Sequence, residues 1–187
     1  MGTNYYLWLR AKSGPEGDTE AEPFMDAEYF VQHLSNGYVW ANTYYPDLKA
    51  LNGSYCRVLH IGKSSSGWVF PLCTYPSLGI KSLSDWKALF SLGSSVIRDE
   101  YGRRVQPGEM VRTIACRTNP DAGRSEADMV RSMNASMGSL GFRTYMSYDD
   151  FLRDNHAKRG PRGLLAGEGS ELAKDGTYEL TDRWDFC

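Results

Sequence analysis

Closely spaced metal ligands are missing from this chain. Its four cysteines, Cys56, Cys73, Cys116 and Cys187, stand far apart with no C-x-x-C pair, and there are only three histidines. That spacing excludes the ligand pattern of a zinc ribbon or finger, so neither a metal nor another cofactor is expected. No apolar run approaches the ~20 residues that a bilayer-spanning helix needs, and no membrane partner is expected. The opening MGTNYY starts like a myristoylation signal but puts Tyr6 where Ser or Thr is required. With no apolar leader, the expected location is the cytoplasm and the expected state of the thiols is reduced. A positive excess is absent too: the formal net charge is -2 and the pI is near 5.9. Nothing global therefore pulls the chain toward nucleic acid.

What is present is the composition of a folded protein. A hydrophobic content of 41% with 13% aromatics over 187 residues can bury a core. The expected organisation is one domain over 1–187, with an exposed acidic insertion around 11–28. In that insertion Gly14, Pro15 and Gly17 sit among Glu16, Asp18, Glu20 and Glu22, and such a composition has little apolar surface to bury.

Periodicity supplies the elements. NYYLWLR reads as a strand, DAEYFVQHL as a short helix, and GYVWANTYYP as β-like. SYCRVLHIG alternates Leu59 and Ile61 against Val58 and His60, and GWVFPLCTY follows as a second strand after a small-residue turn. SLSDWKALFSLG is an amphipathic helix with Ser82 or Ser84 as cap and Trp86, Leu89 and Phe90 on one face. SVIRDEYGRRVQ predicts a hairpin turning at Tyr101 and Gly102, after which Pro107 opens a helix with Met110, Val111 and Ile114 inward. Ser125 and Asp128 box the start of a third helix bearing Met129, Met133 and Met137 on one stripe. GFRTYMSYDDFLRDNHAKRGPRG then reads as strand, short helix and basic loop, and GTYELTDRWDF as a terminal hairpin. The predicted class is α+β: a mainly antiparallel sheet with about three helices, starting near Ser84, Pro107 and Ser125, packed on one face.

The densest chemistry lies in HIGKSSSGW, His60 to Trp68. It imitates the end of a phosphate-binding loop and fails two requirements. Arg57 stands where the first turn glycine belongs, and the residues after Ser64 are β-like rather than helical. A nucleophile elbow is also excluded, because Ser66 occupies the position of its second glycine. There remain Gly62, Ser64, Ser65, Ser66 and Gly67 with Lys63 and His60 beside them and Trp68 at the end, a set that can cradle a compact anion on backbone N–H groups. Read structurally, the same residues are a serine-rich hairpin turn with His60 in or near the core and Trp68 packed beneath it.

The chain resembles a family of small, uncharacterised proteins of bacteriophages and some bacterial genomes. The resemblance is carried, in order, by MGTNYY, HIGKSSSGW, the Asp85-Trp86-Lys87 helix, Ile97 with Asp99 to Gly102, and the closing strand from Gly176 to Phe186. It implies a phage accessory protein acting inside a host bacterial cell and supplies no activity. Relatives of this pattern often carry a cysteine pair, like half of a metal site, where this chain has its acidic and aromatic insertion.

Three functions are set against one another. The first is a binding module, a host-takeover or anti-defence protein that grips a host protein or sequesters a small anionic, phosphorylated ligand through His60–Trp68. Asp18, Glu20, Glu22, Asp26 and Glu28 would form an acidic arm, with Trp40, Tyr44 and Tyr45 as aromatic anchors. The second is an enzyme acting on a nucleotide or phosphate ester, with His60 as general acid or base, Lys63 on the oxyanion, and Asp99 or Glu100 as carboxylate partner. His33 and His156 lie in ordinary polar surroundings. The third is nucleic-acid binding through Lys158, Arg159 and Arg162 in HAKRGPRG. Binding of a partner or ligand is ranked ahead of catalysis, and nucleic acid last.

Overall fold

The computed structural model describes residues 2–9, 25–26, 57–174 and 177–182. Strand β1, Gly2–Leu9, is buried from Asn4 to Leu9. A strand apolar on both sides belongs inside a sheet rather than at its edge, and β1 lies antiparallel between β3, Arg57–Ser65, and β5, Ser95–Asp99. Beyond β5 comes β6, Arg104–Val105, across the expected hairpin. The far edge of β3 is shared. β2, Met25–Asp26, pairs with its start at Val58 and Arg57, and β4, Phe70–Cys73, pairs with it at Gly62.

β4 is followed outward by β10, Tyr178–Thr181, and then by β9, Glu171–Leu172. The resulting eight-stranded sheet has one parallel neighbour pair among its described strands, β4 with β10. The closing strand pairs antiparallel with β9, upstream of it, and 183–186, the far half of the expected terminal hairpin, lie outside the described residues.

Among the described residues four α-helices accompany the sheet. Helix α1, Leu83–Phe90, starts where Ser82 accepts a hydrogen bond from the Asp85 N–H, and α2, Pro107–Ala115, starts on its proline. They bury Leu83, Trp86, Phe90, Met110 and Ile114 against Tyr5, Leu7, Leu9, Leu59, Ile61 and Phe70, the main core. Trp86 is fully buried and donates its indole N–H to the Cys73 carbonyl at 2.8 Å. Leu89 is partly buried beside them.

Helix α3, Glu126–Gly138, is capped by Ser125 as its box predicts, and α4, Tyr148–Asp154, by Ser147. This pair packs against a two-stranded sheet of β7, Ala157–Arg159, and β8, Leu165–Gly167, forming a smaller cluster of Val130, Tyr145, Tyr148, Leu152, Ala157 and Leu165. The molecule is α+β. Lys158 and Arg159, expected in a loop, sit in β7, because Gly160 and Pro161 lead into the turn that returns the chain as β8. Among the described residues no helix is long and apolar enough to cross a membrane. Outside the described residues lie most of the acidic insertion, the DAEYFVQHL and GYVWANTYYP segments, and Trp40, Tyr44, Tyr45, His33, Cys56 and Cys187; β2 falls inside the span expected as an exposed loop.

Candidate functional site

HIGKSSSGW is mostly strand. β3 runs through Ser65, and the reversal to β4 is a β-turn in which the Trp68 N–H donates to the Ser65 carbonyl at 3.2 Å. Gly67 takes the left-handed φ of +78° in that turn, a conformation costly to residues with a Cβ. No helix follows Ser64, so the helix terminus that would complete a phosphate loop is absent here.

Within β3 the pairing slips: Tyr5 faces Gly62 and Tyr6 faces His60, leaving Ile61 as the extra residue of a bulge. Gly62 has φ +147°, and a Cβ there would stand 2.0 Å from the Pro71 carbonyl oxygen and 2.5 Å from the Phe70 ring. Only glycine fits. The bulge also resets the alternation of faces. Ile61 and Gly62 both meet the main core, so Lys63 falls on the same side as His60, although three residues apart in an unbroken strand would put them on opposite sides.

His60 nevertheless sits below the surface. It is 4% exposed, with its ring 5.1 Å from that of Tyr6 and Nδ1 3.6 Å from Cys73 Sγ, and its own carbonyl accepts from the Tyr75 hydroxyl at 2.8 Å. Burial pushes the imidazole down to about 4, with Lys63 adding a smaller push in the same direction against a hydrogen bond to the Gly62 backbone. The ring is therefore neutral at pH 7. Its Nε2 is buried without a hydrogen-bond partner among the described residues. Burial likewise pushes the Tyr75 phenol up. Asp99 and Glu100 do not approach His60: β1 separates β5 from β3, Asp99 holds the Tyr101 and Arg103 N–H groups, and Glu100 accepts from Asn4.

A groove of about 1040 Å³ opens beside Lys63, with neither His60 nor Cys73 in its lining. Lys63, Ser65 and Trp68 form one wall, Pro71, Glu179 and Thr181 the sheet floor, and the 167–171 turn with His156 the opposite wall. Lys63 makes no ion pair with any described residue. Among the described residues four carboxylates, Glu168, Glu171, Glu179 and Asp182, share the lining with it, which makes this described lining acidic. His156, at φ +48°, stands 3.9 Å from Glu168.

The serines divide. Ser65 lines the groove, Ser66 is exposed on the turn, and Ser64 points to the other side, where its hydroxyl accepts from Arg117. Arg117 also donates to the Ser65 carbonyl, so an internal cation already occupies the place at which an external anion was expected. Burial lowers the Arg117 pKa, and its Nε has no hydrogen-bond partner among the described residues. Gly62 is filled against β4, and Gly67 is committed to the turn.

The basic residues of HAKRGPRG are largely taken. Lys158 Nζ donates to the Ser170 carbonyl at 2.7 Å, and Arg159 forms a two-pronged pair with Glu126 at 2.7 and 2.9 Å and another with Asp149 at 2.9 Å. Arg162 is exposed at φ +55°. Reading the sequence singled out none of Arg117, Glu168, Glu171 or Glu179, whose only local mark is the Gly167-Glu168-Gly169 turn signature. Among the described residues no group of three or more His, Cys, Asp or Glu could hold a metal. No protein-family model matches this chain, and no curated protein or solved structure matches it either.

Proposed function

We propose that this protein is a non-catalytic binding module of the phage accessory kind, which grips a partner protein by a cationic segment laid in the groove beside Lys63, Ser65 and Trp68. The observation that carries this reading is the charge of the groove: among the described residues, four carboxylates against one lysine. Charges ~6 Å apart interact by roughly 0.7–3 kcal/mol between water and an effective dielectric of 20, so four repulsions outweigh one attraction for a phosphorylated ligand. The same sum favours lysine or arginine side chains. Lys63 then limits where a cation can lie and gives the groove polarity along its length.

The geometry favours binding over catalysis because His60 is buried and does not line the groove, whereas a general base must come within hydrogen-bond reach of its substrate. The resemblance to phage proteins supports a host protein as the partner.

Calorimetric titration with a lysine-rich decapeptide, and separately with inorganic phosphate and adenosine monophosphate, tests the reading. The peptide is expected to bind and to weaken severalfold between low and physiological salt. Glu168→Gln combined with Glu171→Gln should weaken it roughly tenfold at unchanged melting temperature, since both side chains are exposed. Binding of phosphate or the nucleotide, abolished by Lys63→Ala, with no binding of the peptide, would reverse the assignment.

A further inference from the structure

Trp68 belongs to two cavities. One face of its wall is the acidic groove, and the other closes a cleft of about 200 Å³ among Met129, Met133, Tyr148, Phe151 and Leu165. The residue is fixed in place by its backbone neighbours: Leu165 donates to the Gly67 carbonyl at 2.7 Å, Val69 donates to the Leu165 carbonyl at 2.8 Å, and Trp68 bridges Leu165 in parallel. A backbone held at both flanks in this way leaves only the side chain to be ordered on binding.

The cleft differs from the groove in charge. Its charged lining residues, Asp121 and Arg124, pair with each other at 3.0 Å. The floor is apolar, and Met129 and Met133, partly buried at the edge of the smaller cluster, are side chains that reshape readily around a guest. Such a cleft offers a lysine no carboxylate that is not already paired with Arg124, and it accommodates one apolar side chain. The adjoining groove offers the reverse.

We infer that the cleft under Trp68 receives a single aliphatic side chain from the same partner segment whose lysines or arginines lie in the acidic groove. The inference rests on the groove reading and adds a recognition rule to it: basic residues on one side of Trp68, one leucine-like anchor on the other. Anchors buried in preformed pockets carry a large share of interface energy, so the anchor supplies affinity and the basic residues supply orientation and encounter rate.

The test uses the full chain and a panel of lysine-rich decapeptides in which one leucine occupies each position in turn, beside the parent peptide lacking leucine. At one position, or two adjacent ones, leucine should tighten binding roughly tenfold, the lower end of what burying a leucine is worth. Ser132→Leu, which fills the cleft from an exposed helical position, should erase that gain and leave the parent peptide's affinity unchanged. Equal affinity of every leucine peptide and the parent would overturn the inference while the groove reading stood. A leucine gain that survives in Ser132→Leu would place the anchor elsewhere and overturn it too. Failure of all peptides to bind would remove both.

Discussion

The two hydrophobic clusters are built to different standards. In the main core Leu7, Leu9, Leu59, Ile61, Phe70, Trp86, Met110 and Ile114 are wholly out of water, while in the smaller cluster every fully counted member keeps between 6% and 9% of its surface exposed. The main core is closed by side-chain packing on a continuous sheet. The smaller one is closed at its rim by ion pairs, Arg159 with Glu126 and Asp149, and Arg143 with Asp150 and Asp154. Thin packing with a charged rim leaves clefts, and the cleft under Trp68 lies against this cluster. The sheet and α1 and α2 supply rigidity, and on the proposed reading the second cluster supplies surface to bind with.

The largest effect should come from emptying the better core. Trp86→Ala is expected to cost about 3–5 kcal/mol in denaturant unfolding, against about 2 kcal/mol for Leu152→Ala in the shallower cluster. Equal costs would mean that the two clusters form one cooperative core. Acid should come next and act on the main sheet. The folded His60 pKa is about 4 and the unfolded one about 6.5, so the unfolded chain takes up a proton in that interval and the folded one does not. The contribution is complete above pH 6.5 and drains away as pH falls toward 4, by about 3 kcal/mol in all. Denaturant curves at pH 7 and pH 4.5 should show a clearly smaller acid loss in His60→Gln than in the parent; equal losses would place the titration elsewhere. The smallest effect belongs to the rim. Arg159→Gln should lower the melting temperature slightly at low salt and hardly at all near ~0.5 M, where exposed pairs are screened. A large, salt-independent loss would show that the ion pairs, rather than the packing, hold the second cluster together.

The better core was also the more legible. Helix α1 could be read because Ser82 and Asp85 mark its start and Trp86 and Phe90 recur on one face, and the 95–105 hairpin because Gly102 punctuates it; these signals are local. The site was half legible. The turn at Ser66 and Gly67 was visible, but the bulge at Ile61 was not, because nothing in a nine-residue strand announces that its pairing will slip. The groove's acidity was invisible for a different reason: Glu179 reaches Pro71 only through the parallel pairing of β10 with β4, a contact across more than a hundred residues with no periodicity to betray it. Arg117 escaped because an isolated arginine after a helix looks like any surface cation until Ser64 and Ser65 are found beneath it. The basic run at 156–162 looked more available than it is, since its partners Glu126 and Asp149 lie in other elements.

The bulge in β3 has a bearing on how this chain can change in length. Earlier in the strand, losing one residue exchanges inside for outside from that point on, and Lys63 and Ser65 would be driven toward the core while Ser64 emerged. At Ile61 and Gly62 two successive residues already face the same way, so the loss of Ile61, with Gly62 kept in the slot that only glycine fits, restores plain alternation and leaves every later residue on its present side. The strand carries one spare position, and it lies just before the glycine that precedes the lysine. Length variation in this strand is therefore tolerable at that point alone, with the groove's wall handed on intact.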